Sequence, residues 1–120
     1  MSLIKDLVVE KAIELADCIK ELEEYKEFLK NEEKLKNDEI AQRMLLEFQR
    51  KQQDFVMKQM AGEFDQKLLN DLTDLQAKLN ARESVVRFIE SYNKLLSVIG
   101  EILEIIGDRI DLDLEEVYKH

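Results

Sequence analysis

An all-α fold follows from three observations. Apolar residues recur every three or four positions along nearly the whole chain, the spacing of one helix face. Proline is absent and glycine occurs three times in 120 residues, too few turn formers for a sheet protein. Charged residues make up 38% and hydrophobic residues 45%, the balance of long amphipathic helices. The expectation is an elongated helical bundle of about five helical segments with a long C-terminal helix. One helical domain is expected over residues 1–110, followed by an acidic tail over residues 111–120.

The first helix is expected from about Leu3 to Leu22. Its seam is Ile4, Val8, Ala12, Leu15, Ile19 and Leu22, with Leu7 beside it, close to a coiled-coil rhythm. Glu23–Leu35 is charged and offers only Tyr25, Phe28, Leu29 and Leu35 for burial, so it reads as a short helix or a bent continuation of the first. Asn37-Asp38 is the first punctuation, and either residue can cap the helix that follows. That helix runs to about Ala61, with Ile40, Met44, Leu45, Phe48, Phe55, Val56 and Met60 inward. The seam also places Gln52 inward, where it would need hydrogen-bond partners. Gly62 is a natural residue for the left-handed turn after a helix.

The fourth segment, about Glu63–Leu79, carries Phe64, Leu68, Leu72, Leu75 and Leu79 at the same spacing. Asn80 can cap the final helix, with Glu83 reaching back in a capping-box variant. The final helix holds Val85, Phe88, Ile89, Tyr92, Leu95, Leu96, Ile99, Ile102, Leu103, Ile106 and Ile110, widened by Val98 and Ile105. From Leu95 to Ile110 the apolar positions cover roughly half the circumference, against a usual stripe of about 100°. Residues 85–110 would span about 39 Å, past the roughly 35 Å of a compact globule of this length. Its wide face therefore calls for cover from another chain. Gly100 and Gly107 lie seven apart on one edge. Either a neighbouring helix approaches both closely, or Gly107 ends the helix. In the tail, Asp113 with Glu116 can cap a last short turn.

The net charge of −9 fits a solvated acidic surface and disfavours general nucleic-acid binding, which needs a basic stripe. The local exception is Gln42–Gln59, with Arg43, Arg50, Lys51 and Lys58 against Glu47 and Asp54, and with five glutamines. A mixed solvated helix face is the simpler reading; contact with RNA or an acidic protein is the alternative. Cys18 is the only cysteine, so no internal disulfide is possible, as suits a reducing compartment. No signal-type apolar segment is present and no run of about 18 apolar residues exists. The chain is expected to be soluble and cytoplasmic, without membrane contact.

Catalytic chemistry finds no support. Nucleophilic catalysis of the Ser-His or Cys-His type needs an imidazole, and the only histidine is His120. One cysteine and one histidine cannot make a zinc site. Glu-x-x-His, the usual mark of a di-metal bundle, is missing, and no phosphate-binding glycine loop exists. Pairs such as Glu23-Glu24, Glu32-Glu33 and Glu115-Glu116 read as solvated surface. No catalytic, cofactor or metal residue is assigned, and no cofactor is expected. Cys18 reads as a small buried hydrophobe, or alternatively as a ligand to a cluster shared between subunits. Met44 and Met60 read as core and Met57 as exposed.

Three stretches carry a resemblance: AIELADCIKELEEYKEF, NDEIAQRMLLEFQRKQQDF and LNARESVVRFIESYNKLLSVIGEILEIIGDRI. Through Ala12, Leu15, Ala16, Ile19, Tyr25, Asp38, Phe48, Gln52, Asn80 and Val85, the chain resembles the YlbF/YmcA (Com_YlbF) family of small bacterial helical proteins over about Leu3–Ile110. That family often has Asn-Pro at the start of its last helix; here Asn80 is kept and Ala81 follows. The resemblance implies an all-α protein that associates with itself or with paralogues. Its better-known members are non-enzymatic cytoplasmic regulators of competence, sporulation and biofilm formation, acting in complexes that influence an mRNA-processing endoribonuclease. Some carry cluster-ligating cysteines, whereas this chain has Cys18 alone.

The leading expectation is a regulatory adaptor that works as a homodimer or paralogue hetero-oligomer, with an endoribonuclease among its possible partners. The interface candidates are Val98, Ile102, Leu103, Ile105 and Ile106. The alternative is a chaperone-like helical holder of prefoldin type.

Overall fold

The computed structural model describes residues 2–114. Five α-helices lie among them: α1 Leu3–Lys20, α2 Glu23–Lys36, α3 Glu39–Met60, α4 Gln66–Ala81 and α5 Glu83–Ile110. His120, the Glu115-Glu116 pair and the Glu116 half of the expected last cap lie outside the described residues. The fold divides into two units. One is Asn31–Glu90; the other joins the chain up to Lys30 with the chain from Ser91 onward.

The middle unit is built on the α3–α4 pair. Asp38 caps α3 by accepting the Ala41 amide at 3.2 Å, and Asp65 caps α4 by accepting the Leu68 amide at 3.0 Å. Between them the chain reverses through a Schellman turn. Gly62 sits at φ +81°, its amide reaching the Gln59 carbonyl at 3.0 Å while the Glu63 amide reaches Lys58 at 2.8 Å. The pairs Lys51–Asp71 (3.2 Å) and Lys58–Asp65 (2.7 Å) converge toward that turn, so the two helices run antiparallel. α4 buries Leu72, Leu75 and Leu79, steps of three and four on one face. Leu79 joins Leu35, Ala41 and Val85 in the core, with Met44, Leu45, Phe48 and Phe88 packed around them. Asn31 is buried too, and its Nδ2 donates to the Arg87 carbonyl at 3.4 Å.

Several expectations on this unit are corrected. The inward seam of α3 passes from Phe48 through Lys51 to Phe55, so Gln52 is exposed. Lys51 lays its stem along the helix pair and carries its ammonium out to Glu47 and Asp71. Ile40, Val56 and Met60 are exposed, Met60 at 84%, while Ala41, small enough for the closest approach, is fully buried. Phe64 precedes α4 and packs edge-on against Phe55, ring centroids 6.0 Å apart. Asn80 does not cap α5. It lies inside α4, exposed, accepting from Gln76 one turn earlier at 3.0 Å. The break falls at Arg82, which is extended at φ −83° and ψ 125°. A long-range tie described below fixes Arg82, and it outweighs the local cap at Asn80.

In the other unit, Ser2 caps α1 by accepting the Lys5 amide at 3.1 Å. α1 ends where the Glu21 amide turns to the carbonyls of Cys18 and Ile19. No residue of α1 is buried, and Cys18 is exposed, which overturns its reading as a buried hydrophobe. From α5 this unit buries Ser91 and Leu95, and the rings of Phe28 and Tyr92 meet at 5.9 Å. The α5 helix runs past Gly107 to Ile110 and closes with Asp111 at φ 59° and the Leu112 amide on the Gly107 carbonyl at 2.9 Å. The two α5 glycines differ. A Cβ on Gly100 would meet nothing within 4 Å, whereas one on Gly107 would lie 2.5 Å from the Leu112 carbonyl oxygen. Gly107 thus does not end the helix. It admits the chain's own return.

Candidate interaction surfaces

The most concentrated polar geometry surrounds Asp38. Its carboxylate takes the Ala41 amide, the Arg82 guanidinium through Nε at 2.7 Å and Nη2 at 2.8 Å, and the Ser84 hydroxyl at 2.6 Å. The bidentate guanidinium, followed by the Ser84 hydroxyl, holds the Asp38 carboxyl far below the usual carboxylate range. The same bond raises Arg82 above its ordinary value. One carboxylate thus fastens the start of α3 to the break between α4 and α5, across 44 residues of sequence. An open cleft of about 690 Å³ lies beside it, lined also by Asn31, Lys34 and Arg87. Acid and base here are spent on each other, so the cluster is a clamp without a free nucleophile or proton carrier. Among the described residues no group of three or more His, Cys, Asp or Glu side chains is placed to hold a metal ion.

Sequence reasoning marked Asp38 as a cap but not its partners. Arg82 and Ser84 carry no local signal, because their reason lies 44 and 46 residues away. Asp65 was legible as an acid just before Leu68 and Leu69, but the stronger apolar signal of Phe64 pulls the expected helix start too early.

The other conspicuous surfaces are apolar. On α1, Ile4, Leu7, Val8 and Leu15 share one side of the helix at three- and four-residue steps, and all are exposed, Ile4 at 76%. Only Ile19 near the helix end is half-covered. On α5 the interface candidates separate. Val98, Ile102 and Leu103 are half-buried, while Ile105 is 62% exposed and Ile106 is exposed beside Ile110. Covering half of each exposed side chain is worth about 1 kcal/mol per residue. An 18-residue helix with no buried residue draws little support from its own chain, whereas most helical stability in proteins comes from packing an amphipathic face.

The model of a family described as control of competence regulator ComK, YlbF/YmcA, matches residues 8–111. A UPF0342 protein of Alkalihalophilus pseudofirmus is 30% identical over 112 residues, covering 92% of each chain. A UPF0342 protein of Caldicellulosiruptor saccharolyticus is 28% identical over 106 residues, covering 88% of each. Among solved structures, that of Bacillus subtilis RicA in complex with RicF superposes with a TM-score of 0.82 at 19% identity. The superposition covers 92% of this chain and 96% of that one.

Proposed function

Since the chain belongs to the YlbF/YmcA family, we propose that it acts as a non-enzymatic regulatory adaptor in the cytoplasm, working through association with a second copy or a paralogue. The observation that carries this reading is α1, an amphipathic helix whose apolar side is uncovered. The exposed end of the α5 face, Ile105, Ile106 and Ile110, supplies further apolar area in the same unit. Charged flanks such as Lys5, Glu10 and Glu14 give such a contact a polar rim. RicA, which shares the fold, was crystallised with another protein, RicF, and that supports protein association as the mode of action. Among the described residues no helix is long and apolar enough to cross a membrane.

The test is affinity capture of the tagged full chain from its native host. An adaptor retains one or two partners in stoichiometric amounts and loses them on Val8→Lys or Ile105→Lys. Both positions are exposed in the single chain, so neither substitution opens its core. A broad, substoichiometric set of clients would instead favour the chaperone-like holder, and capture unaffected by either lysine would sink the α1–α5 surface.

A further inference from the structure

The middle unit consists of two parts joined by little chain. α3 and α4 pack closely along their length and, among the described helices, no other pair does. Lys51–Asp71, Lys58–Asp65 and the Phe55–Phe64 ring contact fasten them into a firm hairpin. The rest of the unit is a stem, made of the end of α2 from Asn31 and the start of α5 as far as Glu90. Two joints connect hairpin and stem: Asn37-Asp38 on the way in and Arg82 on the way out.

Both joints interrupt the apolar spacing in the same way. Leu35 and Ala41 lie six residues apart across the first, and Leu79 and Val85 six apart across the second. In an unbroken helix that step sets two side chains about 120° apart. All four meet in one core, so the core requires the two breaks. Neither joint contains glycine or proline, and Ala81, Arg82 and Glu83 are good helix formers, so local preference does not set the bend. Each core residue lies three positions from Asp38 or Arg82, and Ala41 contributes only a methyl group. Such a core resists rotation at the joints with a short lever.

The Asp38 carboxylate grips both parts at once. On the hairpin side it takes the Ala41 amide at 3.2 Å, and on the stem side the Ser84 hydroxyl at 2.6 Å, while Arg82 holds it from the second joint. The other tie across a joint, Gln42 Nε2 to the Leu35 carbonyl at 2.9 Å, spans the first joint alone. Beside the carboxylate the cleft is open, with Asn31, Lys34, Glu83 and Arg87 on its stem side. We propose that this grip is the latch of a hinge: the α3–α4 hairpin pivots about the line through Asp38 and Arg82, and the bonds of Asp38 to Ser84 and Arg82 hold it at one angle to the stem. Two chain crossings define such an axis, and a few residues at the ends of elements absorb the rotation. When the latch opens, the hairpin turns as one body and the cleft changes width. None of the latch residues lies on α1 or on the exposed end of α5, so the device is separate from the proposed association surface.

The experiment is a distance measurement by electron spin resonance between two nitroxide labels on the full chain, diluted with excess unlabelled chain. Cys18 is exposed, so Cys18→Ser leaves introduced cysteines as the labelling sites. Gln59→Cys with Glu90→Cys reports hairpin against stem, and Gln53→Cys with Asp74→Cys reports the hairpin itself; all four positions are exposed. Asn caps a helix as well as Asp does, so Asp38→Asn weakens the latch and keeps the start of α3. In Asp38→Asn the Gln59–Glu90 distance distribution should roughly double in width, while the Gln53–Asp74 distribution and the circular dichroism stay as they were. Ser84→Ala should broaden the first distribution to a lesser degree. A folded Asp38→Asn chain with an unchanged Gln59–Glu90 distribution would overturn the proposal, because the core alone would then hold the angle. Broadening of the Gln53–Asp74 distribution would overturn it too, since the hairpin would not be one body. If Asp38→Asn unfolds, Ser84→Ala decides, and an unchanged distribution there is the refuting result.

Discussion

Gly100 and Gly107 look interchangeable in the sequence, yet alanine should act on them in opposite directions. At Gly100 a methyl group meets no heavy atom within 4 Å, so only backbone freedom changes. Replacing glycine by alanine in a helix interior is worth about 1 kcal/mol of stabilisation, or roughly 4 °C in Tm for a domain of this size. At Gly107 the same gain meets a methyl-to-oxygen distance of 2.5 Å, where ordinary contact begins at 3.4 Å. The Leu112 carbonyl must therefore retreat by about 1 Å, and it belongs to a turn fixed by Asp111 at φ 59° and by the Leu112 amide bond to Gly107. Overpacking of that kind costs about 1–3 kcal/mol and the lost hydrogen bond about 1 more. After the helix gain is subtracted, the turn is destabilised by roughly 1–3 kcal/mol. The last turn can loosen without the rest, which limits the change in Tm. Thermal unfolding by circular dichroism should show Gly100→Ala melting higher, while hydrogen exchange should show Gly107→Ala losing protection at the Leu112 amide. If both alanines raise Tm equally and Leu112 keeps its protection, the account of Gly107 is wrong.

Other expectations follow from the middle unit. Leu79→Ala removes a side chain only 4% exposed from the Leu35–Ala41–Val85 core and should cost about 2–5 kcal/mol by urea unfolding. Gly62→Ala meets no neighbour but forces a side chain to φ +81°, so it should cost about 1–2 kcal/mol through the backbone alone. The Asp38 carboxyl is held down first by Arg82, then by Ser84. Its folded value lies below its unfolded one, so its contribution is complete above the unfolded carboxylate value of about 4 and disappears as pH falls further. Urea midpoints should therefore drop below about pH 4, and Asp38→Asn should lower the midpoint at neutral pH and flatten that dependence. An unchanged acid slope in Asp38→Asn would mean that the clamp contributes nothing.

Where structure was set by neighbours in sequence, the sequence was a good guide. Leu72, Leu75 and Leu79 mark the buried side of α4 by spacing alone, and Gly62 marks its turn because few other residues tolerate that φ. Where structure was set from afar, it was not. Asn80 is a good local cap, but Arg82, tied to Asp38, carries the break. The α3 seam was misassigned at Gln52 because a lysine stem can stand in for an apolar residue, which a hydrophobic pattern does not register. Met60 and Val56 follow helical spacing faithfully but on the outer side, since periodicity shows that a face exists and not which face is covered. Among the interface candidates the same limit applies: pattern grouped Val98, Ile102 and Leu103 with Ile105 and Ile106, and only coordinates separate half-buried from exposed.

The central claim is that the apolar side of α1 is covered by another copy or a paralogue rather than by its own chain. Sedimentation equilibrium of the purified full chain at tens of micromolar tests it most directly. The account predicts a mass of at least two chains of 14.2 kDa, falling toward one chain in Val8→Lys with helicity retained. A clean single-chain mass for the unaltered protein across that range, together with no paralogue retained by the tagged chain from its native host, would contradict it.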